Sequence, residues 1–320
     1  MRYHKVFSVS LLVASISWLV YYLSSNWEDF AQLSVVSPML SVILIVLFII
    51  TYAMIGTVNK DLLMSLGVKI SHFEAFALSF ITGFYNLVTP FRGGAAVRAV
   101  YLKKKHNFPY VNFLASLSAI YVLVFFVAAL LGIISIALIY LQTGVFSWIL
   151  FVIFDVVFLG MLGIIFVSPK FKERKNAKWL NRFIKVVNGW HTIKNNRKVV
   201  LATTLVTIVQ FLLGSLMLWL QFKVFGIEVS FAAAVFLNSV ASLSLLVGLT
   251  PGNLGVQEAI IVFSAATIGI TPAESLSAAL LGRAVSLVVL FVLGPIFSYV
   301  LMRKGKGRMN EKGRTKGLNN

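Results

Sequence analysis

Two stretches of this chain, "LSVILIVLFIITYAMIG" (40–56) and "YVLVFFVAALLGIISIALIY" (121–140), carry no charge at all. About 20 such residues are enough to cross a bilayer as a helix. Apolar candidates recur along the sequence at 6–23, 39–58, 72–90, 112–140, 146–167, 199–222, 230–249 and 275–301, with a weaker stretch at 254–270. Only 12% of the residues are charged, against about 25% in an ordinary soluble domain. The expected fold class is all-α, a polytopic membrane helical bundle. Segment 6–23 has the short basic start of a signal peptide. Its small-residue site at Ser24-Ser25-Asn26 is weak, so it is read as a retained first helix.

Several chemistries are excluded. There is no cysteine, which rules out thiolate metal sites, disulfides and a cysteine nucleophile. The histidines (His4, His72, His106, His191) are scattered and never fall at i, i+4, so no metal site and no cofactor is expected. The polar stretch 168–198 and the tail 303–320 hold too few apolar residues to bury a catalytic core. No catalytic residue is assigned, and the chain is not expected to be an enzyme. The net charge of +18 does not point to nucleic acid, because the basic residues flank apolar spans, where positive-inside bias accounts for them. Anionic lipid headgroups are their natural partners.

Charge also constrains topology. Lys103, Lys104 and Lys105 follow the third candidate, ten basic residues lie between Lys170 and Lys198, and seven follow from Arg303. If every candidate crossed once from a cytoplasmic N-terminus, the triple lysine and the basic linker would both lie outside. Treating 72–105 and 230–270 as re-entrant hairpins of opposite orientation removes the conflict. About six full crossings then remain, both termini are cytoplasmic, and all Lys and Arg except Arg92, Arg98, Lys223 and Arg283 lie on the cytoplasmic side. Residues 1–302 form the transmembrane domain in this reading, 168–198 a basic cytoplasmic linker, and 303–320 a disordered basic tail in the cytoplasm of a cell-membrane protein.

The two proposed hairpins resemble each other. "LVTPFRGGAAVRA" (87–99) aligns with "GLTPGNLGVQEA" (248–259), pairing Pro90 with Pro251 and Gly94 with Gly255. Downstream, 108–132 resembles 271–294, with Pro109 opposite Pro272 and Gly132 opposite Gly294. Similar units of opposite orientation form an inverted repeat, an architecture that places transport sites between broken helices. Broken backbone at membrane depth is tolerated only inside protein or beside a wet cavity.

The breaks therefore nominate the site. At the first, Pro90 ends a helix, Gly94 permits close approach, and Arg92 and Arg98 stand beside a helix N-terminus with free N–H groups. Two arginines there form a phosphate clamp, or else snorkel to the interface near Lys103. At the second, Pro251, Gly252, Asn253 and Gly255 precede Glu258, an acid that is costly inside a membrane unless paired. Arg283 is its expected partner, either as structural glue or as a proton- or headgroup-responsive switch. Asp155 is a third charge inside a span, read either with this gating group or as a hydrogen-bonded packing residue. Asn86, Tyr85 and Asn238 are expected to join Asn253 as neutral lining, while Glu74 and His72 are expected at the interface.

"TPFRGGAAVRAVYLKK", "TPGNLGVQEA" and "ALLGRAVSLVVLFVLG" are together similar to the motifs of the lysylphosphatidylglycerol synthase transmembrane (flippase-like) family, and the likeness covers nearly the whole chain. By resemblance, Pro90, Arg92, Gly94 and Arg98 take the first motif, Pro251, Gly252, Gly255 and Glu258 the second, and Arg283 the late arginine. Three positions depart from the pattern: Ala95 stands where a glutamate is frequent, Asn253 replaces a glycine, and "AIYVLV" (119–124) lacks the expected charges. The resemblance implies a domain that moves lipids with polar headgroups between leaflets, here an anionic phospholipid or a polyprenyl phosphate. Fused members carry a soluble aminoacyl-transferase domain; this chain ends in a short basic tail, so lysyl transfer is not expected of it. Two alternatives remain: a non-transporting partner of an envelope-biosynthesis enzyme such as a glycosyltransferase, and an ion-coupled small-solute transporter.

Overall fold

The computed structural model describes residues 37–167, 171, 178–246 and 250–317, and every regular element among them is helical. The expected first span, 6–23, lies outside the described residues. Ten α-helices follow: α1 (Pro38–Ser65), α2 (His72–Val88), α3 (Gly94–His106), α4 (Tyr110–Thr143), α5 (Trp148–Val167), α6 (Lys178–Asn195), α7 (Arg197–Val224), α8 (Phe231–Leu243), α9 (Val256–Ala266) and α10 (Pro272–Gly317). Short 3₁₀ turns at Pro90–Arg92 and Pro251–Asn253 separate α2 from α3 and α8 from α9. Helices α1, α4, α5, α7 and the first 30 residues of α10 are long and apolar enough to cross a membrane. Helices α2, α3, α8 and α9, at 17, 13, 13 and 11 residues, fall short of the roughly 20 a crossing needs.

The duplication starts earlier than the motifs indicate. Helices α1 and α7 are both 28 residues long. Each ends in a glycine at positive φ, Gly67 at 86° and Gly226 at 70°. Each closes the same way, with Val68 N–H on Leu63 O at 3.0 Å and Ile227 N–H on Phe222 O at 3.1 Å, the reversed bonding that satisfies last-turn carbonyls. Four residues on, a serine caps the next helix: Ser71 Oγ accepts from Glu74 N–H and Ser230 Oγ from Ala233 N–H, both at 3.1 Å. The unit is thus long helix, capped short helix, break, short helix, long helix.

The two units interlock. The long helix α4 of the first packs along α8 of the second, α10 packs along α2, and α1 lies against α7. Among lipids, helices associate through close van der Waals contact, which favours small residues. Ala75, Ala77, Ala115, Ala119, Ala128, Ala129, Ala234 and Ala278 are buried accordingly. Around them pack Phe80, Phe154, Phe222 and Phe236, all with no exposed surface.

Two regions differ from expectation. The basic linker contains α6, an amphipathic helix whose Ile184, Trp190 and Ile193 are buried. Trp190 Nε1 donates to Ile164 O at 3.3 Å and Lys194 Nζ to Phe166 O at 2.8 Å, so α6 occupies last-turn carbonyls of α5. The tail, expected without structure, continues α10 as helix to Gly317. Its lysines, arginines and glutamate are good helix formers that simply extend the preceding span.

Glycine is obligatory where α3 folds back on α2. A Cβ at Gly94 would strike the Thr82 carbonyl oxygen and the Asn86 side chain. Gly94→Leu is expected to cost about 1–3 kcal/mol or more through overpacking, visible as a lowered unfolding temperature in detergent, while Gly67→Ala, with open space around a Cβ, should cost only the roughly 1–2 kcal/mol of its left-handed backbone.

Candidate functional site

The two breaks share one backbone geometry. Thr89 and Thr250 are extended, each precedes a proline, and the next two residues have positive φ: Phe91 and Arg92 at 54°, Gly252 at 60° and Asn253 at 59°. A residue before proline is driven from the helical region, which explains the break. Left-handed backbone costs a non-glycine residue roughly 1–2 kcal/mol. Phe91 and Arg92 therefore hold strain that the surrounding packing sustains, a condition that recurs at functional sites.

Near each break one backbone N–H is held by a side chain. Gly94 N–H donates to Asn86 Oδ1 at 3.0 Å, and Gly255 N–H donates to Glu258 Oε2 at 2.8 Å. One helix-start N–H at each break is thus held by a local side chain, and side chains add to the polar chemistry here. Gly94 and Gly255 shape the breaks rather than contact the cavity.

Glu258 is buried and meets Arg283 from α10. Arg283 Nε and Nη2 both donate to Glu258 Oε1, at 2.8 and 2.6 Å, and Nη1 donates to Gly252 O at 2.8 Å. One guanidinium thus neutralises the acid of α9 and satisfies a carbonyl that the break releases. Both nitrogens share one carboxylate oxygen, and the contact is charge-assisted, the stronger kind of hydrogen bond.

The first break is organised differently. Arg92 Nη1 donates to Tyr121 OH at 3.2 Å, with the guanidinium 5.9 Å from that ring's centroid. Arg98 is only 6% exposed, which excludes snorkelling to the interface. Its Nη1 donates to Asn59 Oδ1, and its guanidinium lies 5.2 Å from the Phe113 ring. Among the described residues no carboxylate pairs with either arginine.

Two adjoining cavities, of about 340 and 350 Å³, lie between the breaks. Thr51, Tyr52, Asn86, Arg92 and Asn238 line both. One extends to Gly252, Asn253, Gln257, Glu258 and Arg283, the other to Asn59, Arg98 and Tyr121. Their charged lining is three arginines and one glutamate, and that glutamate is spent on Arg283. Two positive charges stay uncompensated in a largely apolar bundle, where charge is least screened. Asn86, its Oδ1 engaged by Gly94, keeps an amide NH₂ with no acceptor among the described residues. This lining is chemically suited to an anion, and among the described residues no group of three or more His, Asp or Glu side chains is placed to hold a metal ion.

The chain belongs to the lysylphosphatidylglycerol synthase TM region family. That family's model matches residues 6–294. The chain is also similar to "Glycosyltransferase AglD" of Haloferax volcanii, 26% identical over 327 residues, covering 89% of this chain and 52% of that protein. It therefore spans about half the length of the curated relative it matches. No solved structure matches it. As a member of the lysylphosphatidylglycerol synthase TM region family with five described helices fit to span, it is a multi-pass membrane protein.

Of the residues expected at the site in this family member, Arg92, Arg98, Gly252, Asn253, Glu258 and Arg283 line the cavities, as do Asn86 and Asn238. Pro90 and Pro251 set the breaks, and Tyr85 packs in the apolar core beside α3. Asp155 is elsewhere. Helix α5 packs on α4, so Asp155 neither lines a cavity nor has a side-chain hydrogen bond or ion pair among the described residues. Glu74, expected at the interface, is buried and accepts from Tyr101 OH at 2.8 Å, beside His106 Nε2 at 2.6 Å and Lys105 Nζ at 3.1 Å. It clasps the far end of α3 to the start of α2, whereas His72 is exposed beside Lys60 at 2.7 Å. Asn59, Gln221 and Gln257 were missed; a lone amide within an apolar span was the available signal.

Removing one partner of a buried ion pair strands the other. Arg283→Met should destabilise the protein by about 3–5 kcal/mol, and Arg283→Met combined with Glu258→Gln by clearly less than the sum of the single changes. Thermal unfolding of the four proteins in one detergent measures the cycle.

Proposed function

We propose that this protein moves an anionic lipid headgroup, of a phospholipid or a polyprenyl phosphate, between membrane leaflets. The observation that carries the reading is the pair of uncompensated arginines, Arg92 and Arg98, facing cavities enclosed by two broken hairpins. Guanidinium groups match phosphate in a planar fork, and Asn86 adds a neutral donor. In this reading α2–α3 and α8–α9 are re-entrant hairpins of opposite orientation, since none of the four helices is long enough to cross alone. Charge at the duplicated turns supports that inversion: the first carries Lys69, whereas at the second Glu228 is paired with Lys223 and leaves no net positive charge. Both termini and α6 are cytoplasmic in the cell membrane, and the chain is not an enzyme. Opposed units rocking about the shared cavity would alternate its access, with Glu258–Arg283 balancing charge as the phosphate passes.

A second reading draws support from the named relative: the chain is the membrane subunit of an envelope glycosyltransferase and transports nothing. Stable co-purification with such an enzyme, with no lipid movement, would favour it.

Proteoliposomes carrying fluorescent phosphatidylglycerol or a polyprenyl phosphate should show leaflet exchange that Arg92→Gln and Arg98→Ala each slow by roughly tenfold or more, the worth of a charge-assisted hydrogen bond. Exchange at the protein-free rate would refute the transport reading. A single cysteine at Lys104, in a chain that otherwise has none, should react with an impermeant reagent only from the cytoplasmic side.

A further inference from the structure

The compartment on the second-break side contains polar groups that neither the ion pair nor a phosphate requires. Gln221, on α7, is 6% exposed yet lines this compartment and makes no side-chain hydrogen bond among the described residues. Gln257, one residue before the paired Glu258, lines it equally unpartnered. Asn253 is 7% exposed, and its Nδ2 donates to Ser244 O at 2.9 Å and Ser244 Oγ at 3.0 Å. That orientation is enforced, because a flipped amide would press its oxygen against a carbonyl oxygen. Its Oδ1 consequently accepts no hydrogen bond in the structure. Buried polar groups are otherwise satisfied almost everywhere in folded proteins, so two unpartnered glutamine amides and one unmatched Asn253 oxygen around one cavity point to a ligand that supplies their partners.

The chemistry of that ligand group is restricted. An ammonium group would offer no acceptor to the NH₂ groups of Gln221 and Gln257, and both oxygens of Glu258 are already engaged by Arg283 and Gly255. A second phosphate would need a cation, and Arg283 is committed to Glu258 and Gly252. An apolar group would leave the amides unmet. A hydroxyl both donates and accepts, and so matches amide groups that offer both. We propose that Gln221, Asn253 and Gln257 bind the hydroxyls of a polyol esterified to the phosphate that Arg92 and Arg98 meet. This rests on the anionic-lipid reading above. The polyol is the glycerol of a phospholipid or the sugar of a glycosylated polyprenyl phosphate, which present the same vicinal hydroxyls.

Purified full-chain protein in detergent is tested by displacement of a fluorescent alkyl phosphate with octyl phosphodiesters of equal charge at the phosphate, bearing methyl, glycerol, hexosyl or ethanolamine. Glycerol or hexosyl diester should bind roughly tenfold more tightly than methyl, the gain expected from one or two added hydrogen bonds. Ethanolamine should gain nothing. A preference confined to the hexosyl diester identifies a glycosylated lipid, and one confined to the glycerol diester a phospholipid. Gln221→Met and Gln257→Met should each shrink the ratio of polyol to methyl affinity, the ratio being the readout. Equal affinities for methyl and polyol diesters, or an ethanolamine gain as large as the polyol gain, overturn the inference even if phosphate binds. Failure of the fluorescent alkyl phosphate to bind at all would instead remove the anionic-lipid reading on which it stands.

Discussion

An arginine inside an apolar bundle is costly unless it is hydrogen-bonded or paired where it stands, and Arg283 meets that demand in a way that orders the second half of the molecule. Its guanidinium reaches Glu258 with two nitrogens and the Gly252 carbonyl with the third. Glu258 in turn caps its own helix through Gly255 N–H. Helix α10, the break and the start of α9 are thereby joined through one charged group, and none of the three can shift without exposing a charge or a released carbonyl to a low dielectric.

The first half solves the same backbone problem without an acid. Its break has the same proline and the same pair of left-handed residues, but Asn86 caps Gly94 and Tyr121 receives Arg92. Two units alike in backbone thus differ in charge: one is neutral through its internal pair, the other keeps two bare guanidinium groups. Because the long helices are exchanged between units, α4 on α8 and α10 on α2, both kinds of break open onto adjoining cavities. That difference gives the enclosed space its sign, and a symmetric pair of neutral breaks would offer an anion little.

Much of this was legible in the sequence. A proline forces the residue before it out of the helical region whatever its surroundings, so the breaks at Pro90 and Pro251 could be located directly. The cost of a lone charge among apolar residues likewise marked Arg98, Glu258 and Arg283 and made Glu258–Arg283 the natural pair. Less visible were groups whose role depends on a neighbour far along the chain. Glu74 reads as an interfacial acid until α3 returns Tyr101, Lys105 and His106 to it. Gln221 and Asn59 read as incidental amides within spans until packing places them beside the cavities. One backbone donor at each helix start is taken by Asn86 or Glu258, a competition that only geometry decides.

The sequence by itself determined the all-helical membrane class, the positions of the breaks and their duplication, because these follow from local backbone restriction and the solvation of apolar and charged groups. Tertiary structure decided how the units interlock, which arginines are left without a counter-charge, and that Asp155 stands apart on α5. Those outcomes depend on which side chains meet across 25 residues or more, as Arg283 and Glu258 do, and such meetings are set by close packing between helices, which no local pattern encodes.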